Sequence, residues 1–143
     1  MIIREIEYGT PDFDEALKLR TDVLRKPLNL MFKEEEIEEE YKEYHIGTFT
    51  NGSNLIAVLS LRPIDTKEIK MRQVAVSPNF QYIGIGKELV YFSEQFLIKK
   101  NFNRVSLHAR DTAVPFYLKL NYLIKGDVFE EVGIPHVKMF KEF

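Results

Sequence analysis

The sequence predicts an α/β fold, a mixed sheet flanked by helices, built as a single domain over residues 1–143. Three observations predict it. Short apolar stretches separated by turn residues read as strands. Longer stretches with near-helical apolar spacing fall between them. A glycine-containing loop sits where one strand feeds the longest helix. The expected order is β, α, short α, β, β, β, α, β, α, β, β, with no internal repeat, linker or low-complexity tail.

Residues 2–8 alternate enough to form the first strand. Thr10-Pro11-Asp12 then reads as a helix start, with Thr10 as cap, Pro11 in the first turn and acids near the positive end of the dipole. Phe13, Ala16, Leu17, Arg20 and Leu24 share one face, so this helix is expected to run to about Arg25, where Pro27 stops it. Residues 33–40, dense in glutamate around Ile37, read as a short solvated helix. Strands over 44–50 and 55–62 are joined around Asn51-Gly52, a hairpin signal. Pro63-Ile64-Asp65 turns the chain into a strand over 68–76.

The amphipathic run 87–100 is the long helix, with Ile85, Leu89, Phe92, Phe96 and Leu97 facing the sheet. Residues 104–109 form a strand and 112–120 a shorter helix with Pro115 in its first turn. Asn121 stands where a helix ends in the left-handed region, a place for which asparagine is second only to glycine. Strands over 125–130 and 136–141 close the fold around Gly133-Ile134-Pro135.

Composition narrows the function. A net charge of -2 offers no field for nucleic acid. The absence of cysteine removes disulfides, thiolate metal sites and a cysteine nucleophile. His45, His108 and His136 lack metal-ligand spacing, so no metal is expected and each is read as a solvated or core histidine. No apolar run approaches the roughly 20 residues of a membrane span, and the first residues are no signal peptide, so a cytoplasmic protein is expected.

The sharpest signal is Gln81-Tyr82-Ile83-Gly84-Ile85-Gly86. It follows the extended Val74-Ala75-Val76, closed by Ser77-Pro78-Asn79, and it opens the long helix. Such a junction aims free backbone N–H groups and a helix N-terminus at one place, which suits a phosphate-bearing ligand. A Walker A loop is excluded, because Gln81 stands where its first glycine belongs and Glu88 follows Lys87. A dinucleotide fingerprint is excluded by Leu89 in place of the third glycine.

The pattern Gln/Arg-x-x-Gly-x-Gly/Ala in this setting resembles the coenzyme A pyrophosphate loop of GCN5-related N-acetyltransferases. The segment Ala113-Val114-Pro115-Phe116-Tyr117-Leu118-Lys119-Leu120-Asn121-Tyr122 is similar to that family's Ala-x-x-Phe-Tyr-x-x-x-Gly-Phe/Tyr, with Asn121 for glycine. The ending from Phe129 to Met139, with Gly133-Ile134-Pro135-His136, looks like the ElaA-like branch. The likeness is strong from about Glu68 to Phe140; earlier it rests on element order.

The resemblance implies the acyl-CoA N-acyltransferase fold and transfer of an acetyl group from acetyl-CoA, as cosubstrate, to an amine. It implies that the strand 68–76 splays from 104–109 and that the acetyl-pantetheine arm pairs with it along Val74, Ala75 and Val76. The N–H of Val74 or Val76 would then hold the developing oxyanion. The pyrophosphate would sit on N–H groups from Gln81 through Tyr82, Ile83, Gly84, Ile85 and Gly86 to Lys87, whose ammonium is equally well read as solvated. Phe116 would line the coenzyme site or pack the short helix on the sheet.

Tyr117 corresponds to the family's tyrosine near the coenzyme sulfur and would protonate the leaving thiolate. For the general base, Arg72 and Gln73 stand where many relatives have a glutamate, and Glu68 lies too early. His136 is the next candidate, since imidazole changes charge near neutral pH; His108 and water follow. Arg20 and Arg25, on the first helix, could face an acidic acceptor, but a solvated helix face is the favoured reading of both. The acceptor is a small-molecule or peptide amine, and relatives are commonly dimers. A non-catalytic acyl-CoA sensor and an interaction module on the same fold are the alternatives.

Overall fold

The strands are β1 (Ile2–Ile6), β2 (Tyr44–Phe49), β3 (Leu55–Pro63), β4 (Glu68–Val76), β5 (Arg104–Arg110), β6 (Leu123–Glu131) and β7 (Ile134–Glu142), and the helices α1 (Pro11–Arg20), α2 (Glu34–Glu38), α3 (Ile85–Lys99) and α4 (Val114–Lys119). They come from a computed structural model that describes residues 1–143. All strands join one sheet in the order β1-β2-β3-β4-β5-β7-β6. Every neighbouring pair is antiparallel except β4 and β5. That exception follows from chain path: α3 carries the chain from the end of β4 back to the start of β5, a crossover that only a parallel pair needs.

Strand alternation sorts side chains onto two faces. Leu59, Leu61, Ile69, Met71, Val105 and Met139 meet Leu89 and Leu97 of α3 in the larger core. Val58 and Ala75 point the other way and meet Phe13 and Ala16 of α1, with Ile6 and Phe49. Of the residues expected to face the sheet from α3, Ile85, Leu89 and Leu97 are buried, while Phe92 and Phe96 pack at its margin.

The first helix departs from expectation. Thr10 caps it, its hydroxyl accepting from the Phe13 N–H at 3.3 Å. The α-helical form ends at Arg20, however, and continues as a π-helical turn, Thr21–Arg25, and a 3-10 turn, Lys26–Leu28. The Thr21 hydroxyl donates to the Leu17 carbonyl at 2.8 Å, and the Lys26 N–H reaches back five residues to Thr21. Pro27, with no N–H to give, sits within the 3-10 turn rather than ending a regular helix.

Arg20 is not solvated, as the sequence reading had it. It is fully buried and forms a bidentate pair with Glu40, at 2.6 and 2.7 Å. The glutamate-rich stretch therefore gives one residue to the interior. The Glu40 carbonyl also bonds His45 Nε2 at 2.8 Å, and Ser60 Oγ bonds Nδ1 at 2.8 Å. His45 is thus a core histidine, tying β2 and β3 to the segment before them.

Turn chemistry also differs in detail. The β2–β3 hairpin has a three-residue loop, in which Ser53 rather than the predicted Asn51-Gly52 pair takes the left-handed conformation. The β6–β7 hairpin turns at Val132-Gly133, both at positive φ, so Ile134 and Pro135 already belong to β7. Asn121 takes φ 70, as its place after α4 requires.

Candidate active site

The sheet opens between β4 and β5. Their parallel pairing covers Glu68–Lys70 against Arg104–Ser106 and then stops. On its other side β4 stays paired to β3, but Gln73 and Val74 stand opposite the single residue Leu59, and Gln73 takes φ 56. This bulge bends β4 away from β5. The gap it leaves is a cavity of about 270 Å³ whose lining includes Met71, Gln73, Val74, Leu107 and Ala109.

Backbone groups of the splayed strand face this gap. The Ser77 N–H donates to the Ile56 carbonyl at 2.8 Å, toward β3. Alternation turns the N–H and C=O of Val76 the other way, toward β5. The Val76 carbonyl is taken by Gln81 Nε2 at 2.9 Å. The first loop residue thus folds back and fixes the start of the turn, rather than presenting its side chain outward. Ala75 contributes only backbone here, because its side chain is buried under α1.

Tyr82 is 99% exposed with φ 64, Ile83 is exposed, and Gly84 takes φ 90 as the cap of α3, with no side-chain hydrogen bond. The first-turn N–H groups of Ile85, Gly86 and Lys87 have no partner inside the helix by geometry. They form an N-terminal cradle reinforced by the helix dipole. Ile85 anchors it by burying its side chain, and Lys87 is exposed at its rim. A Cβ at Gly86 would stand 3.4 Å from Phe116 Cζ and 3.6 Å from Val76 Cγ2, so this position is closely packed. Phe116 therefore joins α4 to the loop.

Tyr117, next on α4, lines the cavity and is buried, packed edge-on against Phe116 and Tyr122. Burial pushes its phenol above the usual range, so it stays protonated. The Tyr122 hydroxyl behind it is tied to Glu94 at 2.9 Å, and Lys141 reaches the same carboxylate at 3.2 Å. The ring that supports Tyr117 is thereby held in place.

His136 lines the same cavity from β7. Its Nδ1 lies 2.8 Å from the Ile134 carbonyl, which can only accept, so Nδ1 carries the proton and Nε2 offers a lone pair. The structure thus brings the two catalytic candidates, Tyr117 and His136, to one space. It also adds Glu131, which sequence reasoning missed. Glu131 accepts from His108 Nδ1 at 3.0 Å and lies 3.7 Å from His136 Nε2. Burial opposes its ionisation, but the His108 hydrogen bond and the surrounding positive charge outweigh this and lower its pKa. Only its position beside the β6–β7 turn signals it in the sequence.

Glu68 stays at the closed end of the splay, 3.4 Å from Arg104 and accepting from Ser106. Arg72 is held by the buried Glu43 at 2.8 Å. Neither supplies a base. The His, Asp and Glu side chains form no group of three that could hold a metal ion, and no helix is long and apolar enough to cross a membrane.

The splay of β4 from β5 and the glycine-opened helix at its end are the features that the resemblance to GCN5-related N-acetyltransferases implied. Residues 18–143 match the acetyltransferase (GNAT) domain family, and the chain belongs to that family. It is similar to the uncharacterized protein YyaT of Bacillus subtilis, 31% identical over 140 residues that cover 92% of this chain and 89% of that one. In structure it is similar to Escherichia coli ElaA, with a TM-score of 0.85, 20% identity and coverage of 99% and 100%. An aminoglycoside 6'-N-acetyltransferase complexed with coenzyme A is also similar, with a TM-score of 0.80, 19% identity and coverage of 99% and 97%. At these identities the two structures establish the fold, a mixed sheet of the acyl-CoA N-acyltransferase type.

Proposed function

We propose that the protein is an acetyl-CoA-dependent N-acetyltransferase in which an amine attacks the thioester directly. The observation that carries this reading is the meeting of Tyr117 and His136 at one cavity, beside the splayed strand that ends in the glycine cradle. The N–H groups of Ile85, Gly86 and Lys87 would receive the pyrophosphate, as in the family, and the gap beside Val74 and Val76 would take the acetyl-pantetheine arm.

Each residue then has a defined task. The His136 Nε2 lone pair takes the proton that the amine loses as its nitrogen bonds the carbonyl carbon. The N–H of Val74, which lines the cavity, or of Val76 holds the negative charge that develops on the carbonyl oxygen. Tyr117 gives its proton to the thiolate as the carbon–sulfur bond breaks, and the products are an amide and free coenzyme A. Glu131 keeps His108 in place and stands 3.7 Å from His136 Nε2. Positioning supplies much of the acceleration.

Amine-dependent release of free thiol from acetyl-CoA tests this. A thiol signal that rises with an added primary amine, and disappears without one, is the expected result. Binding of acetyl-CoA with no turnover of any amine would favour the non-catalytic sensor instead.

A further inference from the structure

The cavity carries more positive charge than the transfer step uses. Arg25, Lys70 and Arg110 all line it and all are half-buried. None forms an ion pair, whereas the remaining lining arginine, Arg72, is neutralised by Glu43. The two acids of the lining are Glu36 and Glu131; Glu131 is engaged by His108, and neither reaches a guanidinium within ion-pair distance.

Arg25 and Arg110 come from distant parts of the chain and converge on one atom. Arg110 Nη2 donates to the Leu24 carbonyl at 3.0 Å, and Arg25 Nη1 approaches the same oxygen at 3.4 Å. The π-helical turn places Leu24 and Arg25 at the cavity edge, where Arg25 also stacks on the Phe32 ring at 4.3 Å. Two guanidinium groups brought together with no carboxylate at ion-pair distance repel each other, and each has further donors to satisfy. Burial and the neighbouring Arg110 lower the pKa of Arg25, against the opposing charges of Glu36 and Glu131. Lys70 stands on β4, its Nζ 3.4 Å from His108 Nδ1. An anion between these groups would meet donors that no carboxylate of the lining reaches at ion-pair distance.

We infer that the acceptor is an amine that also bears a carboxylate or phosphate, gripped by Arg25 and Arg110 with Lys70 alongside, so that its amino group reaches His136. This rests on the transferase reading. It assigns Arg25 and Arg110 to substrate selection, and it disfavours polycationic amines, which would be repelled by the same groups.

The test is binding to the purified protein, by titration calorimetry, of matched probes with and without acetyl-CoA. The pairs are 4-aminobutyrate against n-butylamine and 2-aminoethyl phosphate against ethanolamine, with spermidine as the polycation. The anionic member of at least one pair should bind about tenfold or more tightly than its neutral partner, as charge-assisted bonds to a guanidinium allow. Which pair shows the preference tells carboxylate from phosphate. Arg25→Gln should abolish the preference and Arg25→Lys should restore part of it, with acetyl-CoA affinity unchanged in both. Equal binding within both pairs, including none, or tighter binding of spermidine would overturn the inference. Loss of acetyl-CoA binding in the parent protein would instead overturn the transferase reading, since the anion preference is measured without coenzyme as well.

Discussion

Gly86 and Phe116 are in contact: the position a Gly86 Cβ would take lies 3.4 Å from the Phe116 ring. The first turn of α3 thereby packs against α4, the helix that carries Tyr117. Gly86→Val places two methyl groups against Phe116 and Val76 and displaces the first turn of α3. Acetyl-CoA affinity should fall about tenfold or more, which is about 1.4 kcal/mol. Gly84 differs, because its φ of 90 is the constraint and no atom lies near its missing Cβ. Gly84→Ala should cost about 1 kcal/mol of stability through backbone strain alone, read from denaturant unfolding.

Tyr117→Phe removes a hydroxyl that donates to nothing else in the protein. Stability and acetyl-CoA affinity should stay near parent values while kcat falls by roughly 10²-fold, the low end for loss of a proton donor. The raised pKa adds a sign to the pH profile. The phenol remains protonated past its usual range, so activity should not decline near pH 10 on its account. Turnover of Tyr117→Phe at the parent rate would remove this residue from the acid role.

The buried Arg20–Glu40 pair makes a stability prediction. Glu40→Gln leaves a buried guanidinium without its counter-charge and should cost about 3–5 kcal/mol. Replacing both residues together, Arg20→Met with Glu40→Leu, should recover much of that loss. Chemical denaturation of the single and double variants measures the difference.

His45 supplies a pH dependence. Burial lowers its pKa below the usual histidine value, more than the Glu40 carbonyl and nearby acids raise it. The folded protein therefore keeps the ring neutral when an unfolded chain would already bind a proton. Its stabilising contribution is present above about pH 6.5 and is lost as pH falls through the depressed folded value. His45→Gln should flatten the fall in unfolding free energy below about pH 6.5, even if it lowers the value at pH 7.

Much of this molecule is legible in its sequence because the signals are local. The proposed phosphate cradle needs only a strand, two glycines and a helix start, all contiguous from Val74 to Lys87. Tyr117 and His136 came from segments whose likeness to a family is itself local. What stayed hidden depends on residues far apart. Arg20 looks solvated until Glu40 folds over it, and Arg25 looks solvated until Arg110 arrives from β5. The π-helical turn, which puts Leu24 and Arg25 at the cavity, has no pattern beyond a threonine and a later proline. Glu131 is one acid among many until the β6–β7 turn delivers it to His108.

Thermal unfolding with and without acetyl-CoA, using ATP and NAD as phosphate-bearing controls, tests the central claim most directly. At about 100 times its dissociation constant a ligand adds about 2.7 kcal/mol, worth several degrees in a domain of this size. The account predicts that acetyl-CoA raises the midpoint by that much, that ATP and NAD do not, and that Gly86→Val loses the shift. No shift with acetyl-CoA, or equal shifts with all three, would contradict it.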